Sequence, residues 1–166
     1  MDLGAAPGGW LQAAHKLVGR PGYVLGVDKE SISPLPFENV ATIQADITEE
    51  ALVGKIESKA NGLFDVILSD LAPDVSGVWE VDQARQIELA RCALRIARSL
   101  LVESGNLLVK VFQGSELNEF KDEMKSSFRV LRIVKPQASR PESAELFFLG
   151  LDYLGPPVEP SVDTTQ

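Results

Sequence analysis

The residues able to do chemistry fall at the ends of short apolar runs. Gly4-Ala5-Ala6-Pro7-Gly8-Gly9-Trp10 opens the chain's first turn, and Asp28, Asp46 and Asp70 each follow on an apolar stretch. Lys110 is the only charge inside Leu107–Phe112, and Glu145 heads the run Leu146–Leu151. Gly4, Gly8 and Gly9 let a backbone turn sharply and approach a ligand closely, while the helix that follows offers free N–H groups. Asp28 lies 20 residues beyond Gly8, the spacing at which a carboxylate accepts hydrogen bonds from a ribose diol. Together they describe a nucleoside-binding cleft. The loop does not read Gly-x-Gly-x-x-Gly, which weakens a dinucleotide reading, and a tight strand–helix turn with no ligand is the plain alternative. A lysine at the tip of an apolar, covered strand either snorkels to water or works in a cleft.

Such residues need a scaffold that brings strand ends together. Apolar runs at Tyr23–Val27, Val40–Gln44, Phe64–Leu68, Leu107–Phe112, Arg129–Val134 and Ala144–Leu151 read as strands. Between them, Gly8–Val18, Ile47–Ala60, Asp82–Leu101 and Glu116–Ser126 read as helices, the third with Ile87, Ala90, Leu94, Ala97 and Leu101 on one face and Gly105 ending the pattern. The alternation predicts a doubly wound, mostly parallel α/β sheet with helices on both faces, and such sheets bind ligands at the carboxyl ends of their strands. If the last strand runs antiparallel, its start brings Glu145 to the edge that holds Asp70 and Lys110. Only Met1, Asp2 and Leu3 remain for the strand before the glycine loop, against a mean of about 5–6 residues. That strand is therefore short, or the chain lacks its natural beginning. Residues 1–154 are expected to form one domain, and 155–166, with three prolines, a disordered tail.

Composition sets outer limits. The 166 residues are 45% hydrophobic and 24% charged, enough for one folded domain. One cysteine, Cys92, and one histidine, His15, exclude an internal disulfide and a Cys/His zinc cage. No apolar run reaches the ~18 residues of a membrane span and no signal peptide opens the chain, so the expectation is a cytoplasmic monomer with no membrane partner. The net charge of −8 argues against a broad basic grip on nucleic acid but not against a local patch.

The same stretches carry a family resemblance. Asp2-Leu3-Gly4-Ala5-Ala6-Pro7-Gly8-Gly9-Trp10, Ser69-Asp70-Leu71-Ala72-Pro73 with Ser76-Gly77, Val109-Lys110-Val111-Phe112-Gln113-Gly114, and Lys135-Pro136 through Ser139-Arg140 to Glu145 occur in this order. In them the chain resembles the FtsJ-type (RrmJ-type) ribosomal RNA large-subunit 2′-O-methyltransferases. The resemblance implies a seven-stranded Rossmann-like sheet with an antiparallel last strand. It implies S-adenosyl-L-methionine as cofactor, and 2′-O-methylation of a ribose, at a uridine, in ribosomal RNA or the large ribosomal subunit. Gly8 and Trp10 would line the methionine part of the cofactor, Asp28 would hold its ribose, Asp46 its adenine amino group, and Asp70 would border cofactor and substrate. Asp70, Lys110 and Glu145 would occupy the last three places of a Lys-Asp-Lys-Glu catalytic set, with Lys110 the general base, the two acids orienting it, and no metal required. The set's first lysine lies upstream of the glycine loop in the family, a stretch these 166 residues do not include; Lys16 and Lys29 both follow the loop. The alternative is therefore a catalytically impaired cofactor- or RNA-binding assembly factor. A nicotinamide-dependent oxidoreductase shares the fold but explains neither Lys110 nor Glu145.

Other residues carry weaker signals. Arg129, Arg132, Lys135 and Arg140, with Lys121 and Lys125 before them, form either an RNA-contacting patch or a solvated face. Arg91, Arg95 and Arg98 make a helical stripe read as solvated, His15 reads as a helix-surface residue and Cys92 as core. Trp79 follows Ser76-Gly77 as a substrate lid or as packing.

Overall fold

The computed structural model describes residues 1–136 and 143–156. Eleven elements follow in order: β1 (Asp2–Leu3), α1 (Gly9–Val18), β2 (Val24–Asp28), β3 (Val40–Gln44), α2 (Leu52–Lys59), β4 (Phe64–Ser69), α3 (Trp79–Leu100), β5 (Leu101–Phe112), α4 (Leu117–Ser127), β6 (Phe128–Val134) and β7 (Glu145–Tyr153). The strands make one seven-stranded sheet in the order β3-β2-β1-β4-β5-β7-β6. β3, β2, β1, β4 and β5 pair in parallel, and β7 runs antiparallel to β5 and β6. Each expected strand and helix is present. Among the described residues no helix is long and apolar enough to cross a membrane. Ser139 and Arg140 lie outside the described residues, as does the expected tail beyond Pro156.

Packing explains where the boundaries moved. Phe120, Phe148, Val109 and Val111 are buried on one face of the sheet, and the Phe120 and Phe148 rings stack at 5.9 Å, joining α4 to β7. Ala90, Ala93, Leu94, Ala97 and Leu100 bury the inner stripe of α3. That helix ends at Leu100, so Gly105 is not its stop signal. β5 begins at once, with Leu101 opposite Phe64, and the register jumps before Val66 meets Asn106. Ser104, at φ 64, and Gly105, where a Cβ would come within 2.8 Å of the Val102 carbonyl oxygen, absorb the extra residues. At its other end α3 starts three residues before Asp82. Trp79, Glu80 and Val81 are exposed and so leave no mark on the apolar stripe. The helix expected from Ile47 begins only at Leu52. Ahead of it Asp46 closes a turn, with the Thr48 N–H donating to its carboxylate and its own N–H donating to Glu49.

β1 is central and only two residues long. Asp2 stands between Gly26 and Leu68, and Leu3 between Val27 and Ser69. β2 and β4 both start before it; Met1 still pairs with β4, its carbonyl accepting the Leu68 N–H at 2.9 Å, so Val24 on one side and Phe64–Val66 on the other flank a gap in the ladder. The Met1 amine donates to the Val66 carbonyl at 2.8 Å at the mouth of that gap.

Candidate active site

The parallel strands point their carboxyl ends at one edge, and the sequence places a polar group at each. After Leu3 the chain turns through Gly4, whose φ is +85 and where a Cβ would come within 2.8 Å of the Leu71 side chain. The N–H groups of Gly4 and Ala5 both donate to the Val27 carbonyl, at 2.9 and 3.2 Å. The Ala6–Pro7 peptide is cis. Gly8, at φ 111, caps α1 in the left-handed region that favours glycine.

Asp28 does more than end β2. Its Oδ2 accepts the Ala6 N–H at 2.9 Å and its Oδ1 the Glu30 N–H at 2.8 Å. The carboxylate therefore ties the glycine loop to the second strand, and each oxygen retains a further lone pair for a diol. Asp46 stands beyond β3, exposed. Its Oδ1 accepts from the Thr48 N–H and Oγ1 at 2.8 and 2.7 Å, and these bonds hold its carboxyl below the usual carboxylate range. Gly4, Asp28, Asp46, Asp70 and Pro73 contribute to the wall of one cavity of about 740 Å³, within the range of small-molecule sites. A nucleoside-bearing cofactor fits that volume, with the carboxylates of Asp28, Asp46 and Asp70 at hand for its polar groups and a glycine where a side chain would intrude. Gly8 and Trp10 do not line this cavity. Trp10 stacks on Phe147 at 6.3 Å and borders a second cavity beside Met1.

Lys110 does not snorkel. It is 8% exposed, and its Nζ lies 3.1 Å from Asp70 Oδ1 and 3.1 Å from the Asp70 carbonyl oxygen. A lysine held by both the carboxylate and the backbone of one residue has little rotational freedom, which suits a group that must meet a reacting atom. The antiparallel β7 brings Glu145 opposite Phe112 and leaves Phe147 opposite Lys110. By strand alternation Lys110, Phe112, Glu145 and Phe147 share one face. Asp70, Lys110 and Glu145 therefore reach the same edge, but among the described residues the ion pair joins Lys110 to Asp70 and not to Glu145.

Two polar residues here were not singled out from sequence. Gln86 on α3 is 1% exposed, and its Nε2 donates to the carbonyls of Lys110, at 2.9 Å, and Leu71, at 3.1 Å. It pins the end of β5 to the loop after β4. An amide on the buried stripe of α3 was the available signal. Asp2 is 1% exposed with neither carboxylate oxygen partnered. Burial pushes its carboxyl up to about 6, against the pull of the Met1 amine, with Asp70 and Asp28 adding to the rise. An acid inside a central strand was its signal.

The basic groups divide. Arg91 pairs with Glu88, Glu116, Glu119 and Glu123 at 2.9–3.4 Å, and Arg98 Nε donates to Ser127. Both therefore tie α3 to α4 instead of forming the solvated stripe expected of them. Arg129 pairs with Asp152 at 2.6 Å, Arg132 is exposed, and Lys135 donates to the Ser143 carbonyl at 3.3 Å. His15 is not a free surface residue. It stacks on Phe37 at 3.9 Å and shares a 2.7 Å hydrogen bond with Asn39. Cys92 is buried, as expected.

A doubly wound sheet with an antiparallel last pair and a nucleoside-sized cleft at its carboxyl edge is the Rossmann-like methyltransferase architecture. A crystal structure described as a ribosomal RNA methyltransferase from Plasmodium falciparum superimposes with a TM-score of 0.82 at 25% identity, over 93% of this chain and 85% of that one. Human methyltransferase-like protein 13, in complex with SAH, shares the fold at a TM-score of 0.57 and 16% identity, over 97% of this chain and 73% of that one. Residues 1–153 match the FtsJ-like methyltransferase family, and the chain belongs to it. Relatives named ribosomal RNA large subunit methyltransferase E are 51% identical over 158 residues in Methanothrix thermoacetophila and 43% identical over 163 residues in Methanococcus aeolicus. These alignments cover 95% and 98% of this chain but 60% and 61% of the relatives. The chain thus spans about three-fifths of the length of the curated relatives it matches.

Proposed function

We propose that this chain is the cofactor-binding and catalytic body of an S-adenosyl-L-methionine-dependent enzyme that methylates a ribose 2′-oxygen in large-subunit ribosomal RNA. Membership of the FtsJ-like family and the names of its relatives support the reaction and the substrate. The observation that carries the reading is the buried Lys110 paired with half-buried Asp70 at the rim of the cleft that Asp28 and Asp46 help to line.

When bound, S-adenosyl-L-methionine supplies an electrophilic methyl on a sulfonium centre. Asp28 would accept hydrogen bonds from its ribose diol, Asp46 would accept from its adenine amino group, and the glycine loop would leave room for the rest. Lys110 Nζ, held at a fixed place by Asp70, is the group positioned to take the proton of the 2′-hydroxyl as that oxygen becomes the nucleophile. The sulfonium would give up its methyl with the S–C electron pair retained by sulfur, so the acceptor oxygen would form the O–C bond with no further reactant. Asp70 orients Nζ, and Glu145 holds the ribose from the facing strand. Because the transferred group arrives activated, positioning and proton removal are the protein's whole task. Arg132 and Lys135, toward the sheet's outer edge, supply local positive charge for the RNA backbone despite the acidic average. The enzyme works as a cytoplasmic monomer.

Calorimetry with S-adenosyl-L-methionine, paired with tritiated-methyl transfer to ribosomal RNA, tests the reading. Binding heat and transfer that depends on Lys110 are expected. Absence of binding by the folded chain overturns it.

A further inference from the structure

Large apolar side chains are exposed together on the stretch that leads from Asp74 into α3: Val75 is 84% exposed, Val78 51% and Trp79 45%. This stretch is held in place. The Ser76 N–H and Oγ both donate to Asp82 Oδ1, at 2.8 and 2.7 Å, and Gly77 takes a φ of +82. Trp79 lies on Phe112 with ring centroids 5.8 Å apart and planes within 16°. Phe112 belongs to the reacting face. It is opposite Glu145 and two residues beyond Lys110 on the same side of β5, hence about 7 Å further toward the open edge at ~3.4 Å per residue.

A ribose presented to Lys110 carries its own base and its neighbours' bases within that reach. The groups nearest the edge include the carboxylates of Asp70 and Glu145, so a phosphate is not favoured there, whereas an uncharged π-face is. We infer that the exposed face of Trp79, backed by Phe112, is a stacking platform for an unpaired nucleobase of the acceptor strand. The inference rests on the RNA-methylation reading and adds to it the class of group that positions the ribose. Stacking on one aromatic face tolerates any base but demands a single strand.

The test uses the intact chain and two probes: a fluorescein-labelled oligouridylate, and the same sugar-phosphate strand without bases. Oligouridylate should quench tryptophan emission, the strand without bases should not, and Trp79→Leu, which keeps apolar bulk on Phe112, should lose the quench. Oligouridylate affinity should weaken about tenfold in Trp79→Leu, in the range of one lost base–aromatic stack, while Trp79→Phe restores most of it. Affinity for S-adenosyl-L-methionine and the thermal midpoint should stay at wild-type values in both variants. In transfer assays KM for RNA should rise about tenfold, with kcat changed less than threefold. Equal oligouridylate affinity in wild type and Trp79→Leu, or equal quenching by the strand without bases, overturns the platform and leaves the methyltransferase reading standing. Cofactor binding with no oligouridylate binding by the wild type overturns the RNA-substrate reading and the platform with it.

Discussion

Two cavities lie at opposite ends of the two-residue strand β1, and their walls differ in kind. The one at its carboxyl end, about 740 Å³, includes Gly4, Asp28, Asp46 and Asp70, polar groups drawn from successive strand ends. The one at its amino end, about 600 Å³, includes Leu17, Val18, Phe64, Val66 and Trp10 beside Met1. Leu17 is 87% exposed and Val66 42%. Carboxylates converging from successive strand ends point to chemistry, while the second cavity gathers large apolar side chains around Asp2 and Asp65. The same short strand therefore separates the end proposed to be reactive from the other, and substitutions at the two ends should fail in different assays.

The largest effect is expected at the reactive end. Lys110→Ala should lower methyl transfer by about 10²–10⁴-fold, the usual worth of a positioned acid–base group, with S-adenosyl-L-methionine affinity changed less than threefold. Turnover within a factor of ten of wild type would remove Lys110 from the base role. At the other end, residues added ahead of Met1 in register with Tyr23–Val24 and Phe64–Val66 should add ladder bonds at roughly 0.5–1.5 kcal/mol each, plus the area they bury. The denaturant midpoint should rise, and transfer should gain most when the extension carries a lysine. A midpoint that does not move would show the gap to be energetically closed already.

Smaller effects refine the contrast. Asp28→Ala removes both the proposed diol acceptor and the partner of the Ala6 and Glu30 N–H groups. Cofactor affinity should fall by about 1–3 kcal/mol, read by calorimetry, and unchanged affinity would reassign the ribose site. Asp2 lies where the two regions meet and gives a pH signature. Its carboxyl is raised to about 6 from 3.8, so between those values the native state binds a proton that the unfolded chain has released. Its favourable contribution is complete below about pH 4 and is lost as pH rises through about 6. Asp2→Asn should flatten that part of the stability–pH curve and be the more stable form at pH 7, by on the order of 1–3 kcal/mol. Parallel curves for the two proteins in urea would show that Asp2 is not the group responsible.

Much of this was legible in the residues. Alternating apolar runs and amphipathic stretches marked every element after β1, because helix and strand periodicity are local consequences of burying one face. The glycine loop, the acids at strand ends and Lys110 were visible because side chains at those places serve neither face of the sheet. Boundaries slipped where burial and periodicity part company, as at exposed Trp79–Val81 and at the bulge of Ser104–Gly105.

Sequence by itself determined the alternation of elements, the position of the loop, the candidate acids and the lysine among them. Tertiary structure decided which of them touch. It paired Lys110 with Asp70 and not Glu145, gave Asp28 a second task in holding the loop, moved Trp10 away from the larger cavity, and turned Arg91 inward onto four glutamates. It also set Gln86 as a brace between β5 and the loop after β4, and buried Asp2 with no hydrogen-bond partner for its carboxylate. The reason is range: a repeat of two or 3.6 residues is written within a dozen positions, whereas the Lys110–Asp70 contact spans 40 residues of chain and depends on strand order, register and crossover, which no local pattern encodes.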